Sequence, residues 1–93
     1  HVHIPLKSKE LHLSVVNEVK AQAQSKSLDD IEHLLNSFEI NLIKRARNKI
    51  KRFPKSSDPI IYSKATGFEA LIGWLFLKEP KRLSKIFEYL ECK

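Results

Sequence analysis

The most hydrophobic part of the sequence reads Ala65-Thr66-Gly67-Phe68-Glu69-Ala70-Leu71-Ile72-Gly73-Trp74-Leu75-Phe76-Leu77. No proline interrupts this stretch, and its apolar residues are not confined to one side of a helix. We therefore expect a central helix that is covered on most sides. Asp58-Pro59 is typical of a helix start, with an N-cap followed by proline in the first turn, and Lys78-Glu79-Pro80 ends the pattern. The sequence predicts a helix over Pro59 to Leu77.

The residues before this stretch also follow helical patterns. Apolar residues at three- and four-residue spacing predict a first helix from about Ser8 to Gln24, with one face formed by Leu11, Val15, Val16 and Val19. Ser27 followed by Asp30 resembles an acidic capping box, which predicts a second, short helix through Leu35.

A third helix is expected with Ser37 as its N-cap and Glu39 in its first turn. Its apolar stripe consists of Phe38, Leu42, Ala46, Ile50 and Phe53, with Ile43 on the flank. Pro80 can open a last helix that ends near Glu91. No strand pattern, repeat or flexible linker is visible. The sequence therefore predicts one all-α domain over residues 1–93, with five helices and short connections.

Composition excludes several classes of protein. A single cysteine among 93 residues rules out an internal disulfide framework and a cysteine-rich zinc site, and it fits a reducing compartment. The longest apolar run is shorter than the roughly 20 residues of a membrane span, so no membrane association is expected. The net charge of +6 favours an acidic partner, with nucleic acid first. Because the sequence neither begins with methionine nor contains one, we expect that residues upstream of His1 exist and have been removed, have been processed or are missing from the sequence as given.

Glu69 is the most informative candidate residue. An ionised carboxylate within so apolar a stretch must be paired, protonated or bound to a metal ion. Its helical neighbours are not cationic. Composition alone favours a buried ion pair with an Arg or Lys of the preceding helix, and a functional carboxylate remains the second explanation.

A second candidate feature is a basic stretch over residues 44–55 that contains no acidic residue. Helix faces that are merely solvated usually mix both signs of charge, whereas one-sign charge beside a loop suits contacts to phosphates. A merely soluble surface is the alternative. A sequence-specific DNA reader is not expected, because no helix-turn-helix glycine turn or zinc-finger spacing is present.

Four motifs occur in order along the chain. They are Val19, Ala21 and Gln24 as V-x-A-x-x-Q; Arg45-Ala46-Arg47-Asn48 close to R-G-R-N; Pro54-Lys55-Ser56-Ser57-Asp58 with Tyr62 as P-K-x-x-D-x-x-x-Y; and residues 65–77 as A-T-x-F-E-A-L-I-G-Y-L-Y-L, with Trp74 for the first Tyr. This ordered set resembles the Mini-ribonuclease III branch of the ribonuclease III family, in its cyanobacterial or plastid-like form.

The resemblance implies a ribonuclease III endonuclease domain, a Mg²⁺-dependent enzyme that cleaves double-stranded RNA as a homodimer. Glu69 would be the catalytic metal ligand, and Thr66, one turn earlier, lies where longer ribonucleases III place an Asp. The RNA would be held by Gln24, Lys44, Arg45, Arg47, Asn48, Lys49, Lys51, Arg52 and Lys55. The branch trims precursors of large-subunit (23S) ribosomal RNA, which implies that substrate and a location in the cytoplasm or plastid stroma.

Two departures from the family pattern bear on activity. Ala46 stands where the family has glycine, and the first catalytic helix with its G-D-A-x-x-E acids has no counterpart in the sequence. Hydrolysis by a metal-activated water needs several carboxylates, so we expect the chain as given to be inactive alone. The alternatives are a catalytically inactive RNA- or ribosome-binding module, or a helical protein-interaction module.

Overall fold

The computed structural model describes the backbone of residues 6–92 and the side chains of residues 15–92. This part of the chain contains no strand. Its helices are α1 (Leu6–Ile31), a short 3-10 helix (Glu32–Leu34), α2 (Ser37–Asn48), α3 (Pro59–Lys78) and α4 (Pro80–Glu91). The predicted all-α fold is confirmed, with four α-helices in place of the five expected.

Helix α1 is a single helix of 26 residues, where the sequence pattern predicts a break before Ser27. That prediction is wrong because no proline or glycine interrupts the region, and the helix continues until Leu28 and Ile31 reach the core. Asp30, which was expected to cap a new helix, accepts a hydrogen bond from Lys26 at 3.3 Å. It stabilises the existing helix instead of starting another.

Among the residues of α1 whose side chains the structure describes, those of the predicted apolar face are exposed. Val15, Val16 and Val19 lie on the predicted apolar face, and they are 54%, 45% and 59% exposed; the side chain of Leu11 lies outside the described residues. The Cα radius of gyration is 15.4 Å, whereas a compact domain of this length has about 12 Å. The long α1 accounts for an elongated shape with uncovered apolar surface.

Helix α2 begins with a capping box formed by Asn36 and Glu39. Asn36 Oδ1 accepts a hydrogen bond from the Glu39 N–H at 2.9 Å, and Glu39 Oε1 accepts one from the Asn36 N–H at 3.0 Å. The predicted N-cap Ser37 is therefore one residue too late. Asparagine caps helices as well as serine does, and only Asn36 has a Glu three positions further on.

Helix α2 ends at Asn48, well short of the predicted end at Phe53. The Ile50 N–H bonds to the Arg47 carbonyl three residues back at 3.3 Å, which is the tighter 3-10 pattern of a closing turn. Pro54 also disfavours helical conformation in the residue before it. The basic residues that follow Asn48 therefore lie in a loop and not on a helix.

The face of α2 that packs on α3 is centred on Ile43, beside the predicted stripe. Ile43 is buried, whereas Phe38 and Phe53 at the ends of the stripe are 47% and 41% exposed. Gly67 of α3 permits the close contact, because a Cβ atom there would lie 2.7 Å from Ile43 Cγ2 and 3.3 Å from Arg47 Cγ. Any larger residue at position 67 would force Ile43 or the helices themselves to shift.

Helix α3 is central and packs against each of the other three α-helices. It starts as predicted: Asp58 Oδ1 accepts hydrogen bonds from the N–H groups of Ile60 at 2.8 Å and Ile61 at 3.2 Å, and Pro59 occupies the first position. The core around it consists of Leu28, Ile31, Ile43, Ala65, Phe68, Leu71, Leu75, Leu83 and Ile86.

The expectation that α3 is covered on most sides is wrong. Ile60, Phe76 and Leu77 are 63%, 68% and 75% exposed. Within residues 6–92, α3 is the one helix whose length and composition would suffice to cross a membrane. Its contacts with the other helices are those of the central helix of a helical domain. Its apolar residues are thus divided between the core and a surface that the described chain leaves uncovered.

Arg82 joins α4 to the start of α2. Its Nη2 donates to Glu39 Oε1 at 2.7 Å and to the Leu34 carbonyl at 2.9 Å, and its Nε donates to Glu39 Oε2. Glu39 is 1% exposed. The hydrogen bonds from Arg82 hold the pKa of the Glu39 carboxyl below its ordinary value, against the opposite effect of burial. This ion pair connects elements that are distant in sequence.

Candidate active site and nucleic-acid interface

A cleft of about 300 Å³ lies between α1, the loop of residues 49–58 and α3. It brings together three of the predicted site residues, namely Gln24, Thr66 and Glu69. Its full lining is Asn17, Lys20, Ala21 and Gln24 from α1, Pro54, Ser56 and Ser57 from the loop, and Tyr62, Ala65, Thr66 and Glu69 from α3.

Glu69 is solvent-exposed and opens into this cleft, so the expectation that it is buried is wrong. Its helix turns Phe68 and Leu71 towards the core, and the rotation of about 100° per residue carries Glu69 away from them. The expected ion pair with the preceding helix does not form among the described residues. Glu69 Oε1 instead accepts a hydrogen bond from Gln24 Nε2 at 3.0 Å.

The polar groups beside Glu69 are of the kind that Mg²⁺ prefers. Thr66, Ser56 and Ser57 contribute hydroxyl groups to the cleft, and Glu69 contributes a carboxylate. Mg²⁺ is usually bound through one or two carboxylates, with substrate phosphates and waters completing its octahedron. The described residues contain no group of three or more His, Cys, Asp or Glu side chains that could hold a metal ion. Glu69 fits one ligand of such a site, and not a complete protein cage.

The loop of residues 49–58 forms one wall of the cleft. The Phe53 ring meets the Tyr62 ring edge-on, with centroids 5.8 Å apart, and the Ser57 N–H donates to the Pro54 carbonyl at 3.2 Å. These contacts fix the loop beside α3. Three exposed cations that were predicted to bind RNA are carried on it: Lys51, Arg52 and Lys55.

The predicted RNA-binding residues of α2 have different surroundings. Arg47 is half-buried, and its Nε donates to Ser63 Oγ at 2.6 Å, so it helps to join α2 to α3. Arg47 and Lys44 line a different, smaller hollow of about 170 Å³ between α1 and α2. The structure does not bring these two residues to Glu69. Lys44 is exposed, and so are the remaining members of the set on or just after α2: Arg45, Asn48 and Lys49.

Sequence reasoning missed two polar residues that α1 contributes to the cleft. Lys20 and Asn17 lie on the same face of α1 as Gln24, at spacings of four and seven residues. That spacing is the signal that could have found them, because it places all three side chains on one side of a helix. Lys20 adds a positive charge to the cleft wall opposite α3.

Residues 2–80 match the family model of the ribonuclease III domain. Curated relatives include the Mini-ribonuclease 3 proteins of Synechococcus sp., 36% identical over 84 residues, and of Thermoanaerobacter sp., 44% identical over 80 residues. The Mini-ribonuclease 3 of Thermosynechococcus vestitus is 38% identical over 79 residues. The predicted resemblance is confirmed by these matches.

The matches cover a larger share of this chain than of its relatives. They include 90%, 84% and 85% of this chain, but only 61%, 56% and 52% of the three relatives, in the same order. The chain therefore spans between half and two thirds of the length of the curated relatives it matches. No solved structure matches this chain.

Proposed function

Because the chain belongs to the ribonuclease III domain family, we propose that the protein is a Mg²⁺-dependent endonuclease that cleaves double-stranded RNA. The observation that carries this proposal is the cleft that holds the exposed carboxylate of Glu69 and Lys20, with exposed basic residues on the loop that forms one of its walls. We extend the proposal to precursors of 23S ribosomal RNA as substrate and to the cytoplasm or plastid stroma as location.

Glu69 would hold the metal ion through its carboxylate at the centre of the cleft. Bound Mg²⁺ would polarise the scissile phosphate and activate the water that hydrolyses it. The hydroxyl groups of Thr66, Ser56 and Ser57 would orient waters and phosphate oxygens around that point. Cleavage would leave 5′-phosphate and 3′-hydroxyl ends.

The basic loop would hold the RNA backbone beside the cleft. Proteins recognise A-form RNA mainly through its shape, its phosphates and its 2′-hydroxyl groups, so a row of exposed cations suffices without base readout. Lys51, Arg52 and Lys55 are exposed on the loop, and Lys20 lines the cleft from α1. Together they would bind phosphates of an RNA backbone that runs along the loop and over the cleft.

A homodimer is the proposed active form. Phe76 and Leu77 on α3 are each more than two thirds exposed, and large exposed apolar residues mark interaction surfaces. A second copy of the protein would cover this surface and would supply the cleft that cuts the opposite strand.

The test of this function is cleavage of a long double-stranded RNA by the full-length protein, with single-stranded RNA of the same sequence as control. We expect cleavage of the duplex in Mg²⁺, none in EDTA, and 5′-phosphate on the products. Cleavage that is independent of the metal, or confined to the single strand, would contradict the proposal.

One observation favours a second candidate function. Among the described residues, Glu69 is the only carboxylate that lines the cleft, whereas phosphodiester hydrolysis generally uses several. A catalytically inactive RNA- or ribosome-binding module would have this composition. Stable binding of duplex RNA without cleavage, in both Mg²⁺ and Mn²⁺, would support that function instead.

Neutralising the loop gives a second expected result. In the double variant Lys51→Ala/Arg52→Ala, the dependence of log affinity for duplex RNA on log salt concentration should become shallower by about 2, because each lost phosphate contact reduces the slope by about 1. The slope is measured by fluorescence anisotropy between low and moderate salt.

The matched control removes the same charge from another surface. Lys81 and Lys85 are exposed on α4, outside the cleft, so Lys81→Ala/Lys85→Ala should leave the slope unchanged. Equal effects of the two double variants would mean that only net charge matters and that the loop is not the binding surface.

A further inference from the structure

Gln24 makes the one described side-chain hydrogen bond to Glu69. Gln24 is half-buried on α1 and Glu69 is exposed on α3, and their side chains meet with Gln24 Nε2 3.0 Å from Glu69 Oε1. The contact joins two helices that form opposite walls of the cleft. Sequence reasoning assigns Gln24 to RNA, whereas the structure places its amide on the carboxylate.

The chemistry of the two groups determines which atoms face each other. An ionised carboxylate can only accept hydrogen bonds, so the amide group must present its nitrogen to it and not its oxygen. This engages Oε1 of Glu69. Among the described residues Oε2 has no hydrogen-bond partner, and it is the oxygen left for a cation.

We propose that Gln24 is a positioning residue that holds the Glu69 carboxylate in the orientation required to bind the metal ion. This inference rests on the proposed function. An exposed glutamate on a helix surface samples many rotamers, and binding a cation through it requires that one of them be selected. The hydrogen bond from Gln24 selects that rotamer before the metal binds. Partners of this kind are typically worth 10- to 100-fold in metal affinity or activity.

Gln22→Ala is the matched control for Gln24→Ala. Gln22 lies on the same helix and is exposed, but it does not line the cleft. Both variants remove one side-chain amide from α1, so a general effect on the helix would appear in both. Thermal unfolding of the two full-length variants should be indistinguishable.

Two measurements test the inference in the full-length protein. The first is the Mg²⁺ concentration that gives half-maximal cleavage of duplex RNA, and Gln24→Ala should raise it by roughly 10-fold or more. The second is Mn²⁺ binding to the RNA-free protein by electron paramagnetic resonance, which should weaken by a similar factor. RNA affinity in EDTA should not change, and Gln22→Ala should match the wild type throughout.

The outcomes separate a positioning role from a direct RNA contact. If Gln24→Ala weakens RNA binding in EDTA and leaves the Mg²⁺ requirement unchanged, Gln24 contacts RNA and the inference is wrong. It is equally wrong if the two alanine variants cannot be distinguished. Glu69→Gln tests the underlying function separately. Wild-type cleavage by that variant would show that no catalytic metal binds at Glu69, and the proposed function would then be wrong at this site. If that variant loses cleavage, an effect of Gln24→Ala that contradicts the inference concerns the role of Gln24 alone.

Discussion

Glu69→Gln is expected to abolish cleavage of double-stranded RNA while leaving its binding intact. A metal ion contributes several kcal/mol of transition-state stabilisation, and the loss of its carboxylate ligand should lower the single-turnover rate by roughly 10³-fold. Glutamine keeps the size of the side chain and an oxygen that can still accept the hydrogen bond from Gln24 Nε2. The substitution therefore removes the charge and preserves the geometry.

RNA affinity in EDTA should be equal to that of the wild type or slightly higher, because a negative charge facing the phosphates has been removed. Glu88→Gln is the matched control: Glu88 is exposed on α4 outside the cleft, so its neutralisation should leave the cleavage rate unchanged. A Glu69→Gln variant that cleaves normally would exclude Glu69 from catalysis. Loss of RNA binding in that variant would show that the site itself had been disrupted.

The sequence singles out Glu69 for a reason that the structure corrects. Glu69 stands out because the residues around it are apolar, and that contrast suggests a buried charge. Hydropathy along the chain does not tell which side of α3 has a neighbouring helix. Glu69 lies on the side that opens into the cleft, and Phe76 and Leu77 are also exposed although their sequence context predicts burial. Which side of α3 is exposed depends on how α1 and the loop pack against it, and the sequence alone does not show that packing.

The helix boundaries show where local chemistry is sufficient. Asp58 with Pro59, and Pro80, mark the starts of α3 and α4 as predicted, because a capping side chain and a fixed proline φ act within one turn. Ser27 and Ser37 have side chains that can also cap a helix. An N-cap residue needs an extended backbone, however, and in this structure both serines lie inside a helix. The cap of α2 therefore lies at Asn36, and α1 has no break at Ser27.

Contacts between distant segments lie beyond what sequence patterns can give. Gln24 and Glu69 are 45 positions apart and Glu39 and Arg82 are 43 apart, and no spacing rule pairs such residues. The motif resemblance assigned Gln24 to RNA and Glu69 to the metal ion, and it did not imply that the two side chains touch. No sequence pattern indicates the Glu39–Arg82 ion pair. The position of Glu39 in the first turn of a helix predicts only a favourable interaction with the helix dipole.

Arg82→Ala is expected to lower the free energy of unfolding by about 2–3 kcal/mol. Removing one partner of a buried ion pair costs roughly 3–5 kcal/mol, and the partial exposure of Arg82 lets water reach the remaining carboxylate and reduces that cost. The side chain of Arg82 is 33% exposed and that of Glu39 is 2% exposed. Urea unfolding of the full-length protein at pH 7 measures the change, and Lys85→Ala on the same helix should cost less than about 0.5 kcal/mol.

The pH dependence of this loss distinguishes the ion pair from simple packing. In the wild type the pKa of Glu39 is lowered in the folded state, so its stabilising effect is complete above the unfolded pKa of about 4.3 and is lost as the pH falls through the folded value. In Arg82→Ala the same carboxyl is buried without its partner, which raises its folded pKa, so protonation stabilises the variant. The difference in unfolding free energy between the two proteins should therefore shrink as the pH is lowered from 7 towards and below that value. A difference that stays constant with pH would mean that Arg82 acts through packing of its side chain, and that its charge contributes nothing to the junction between α2 and α4.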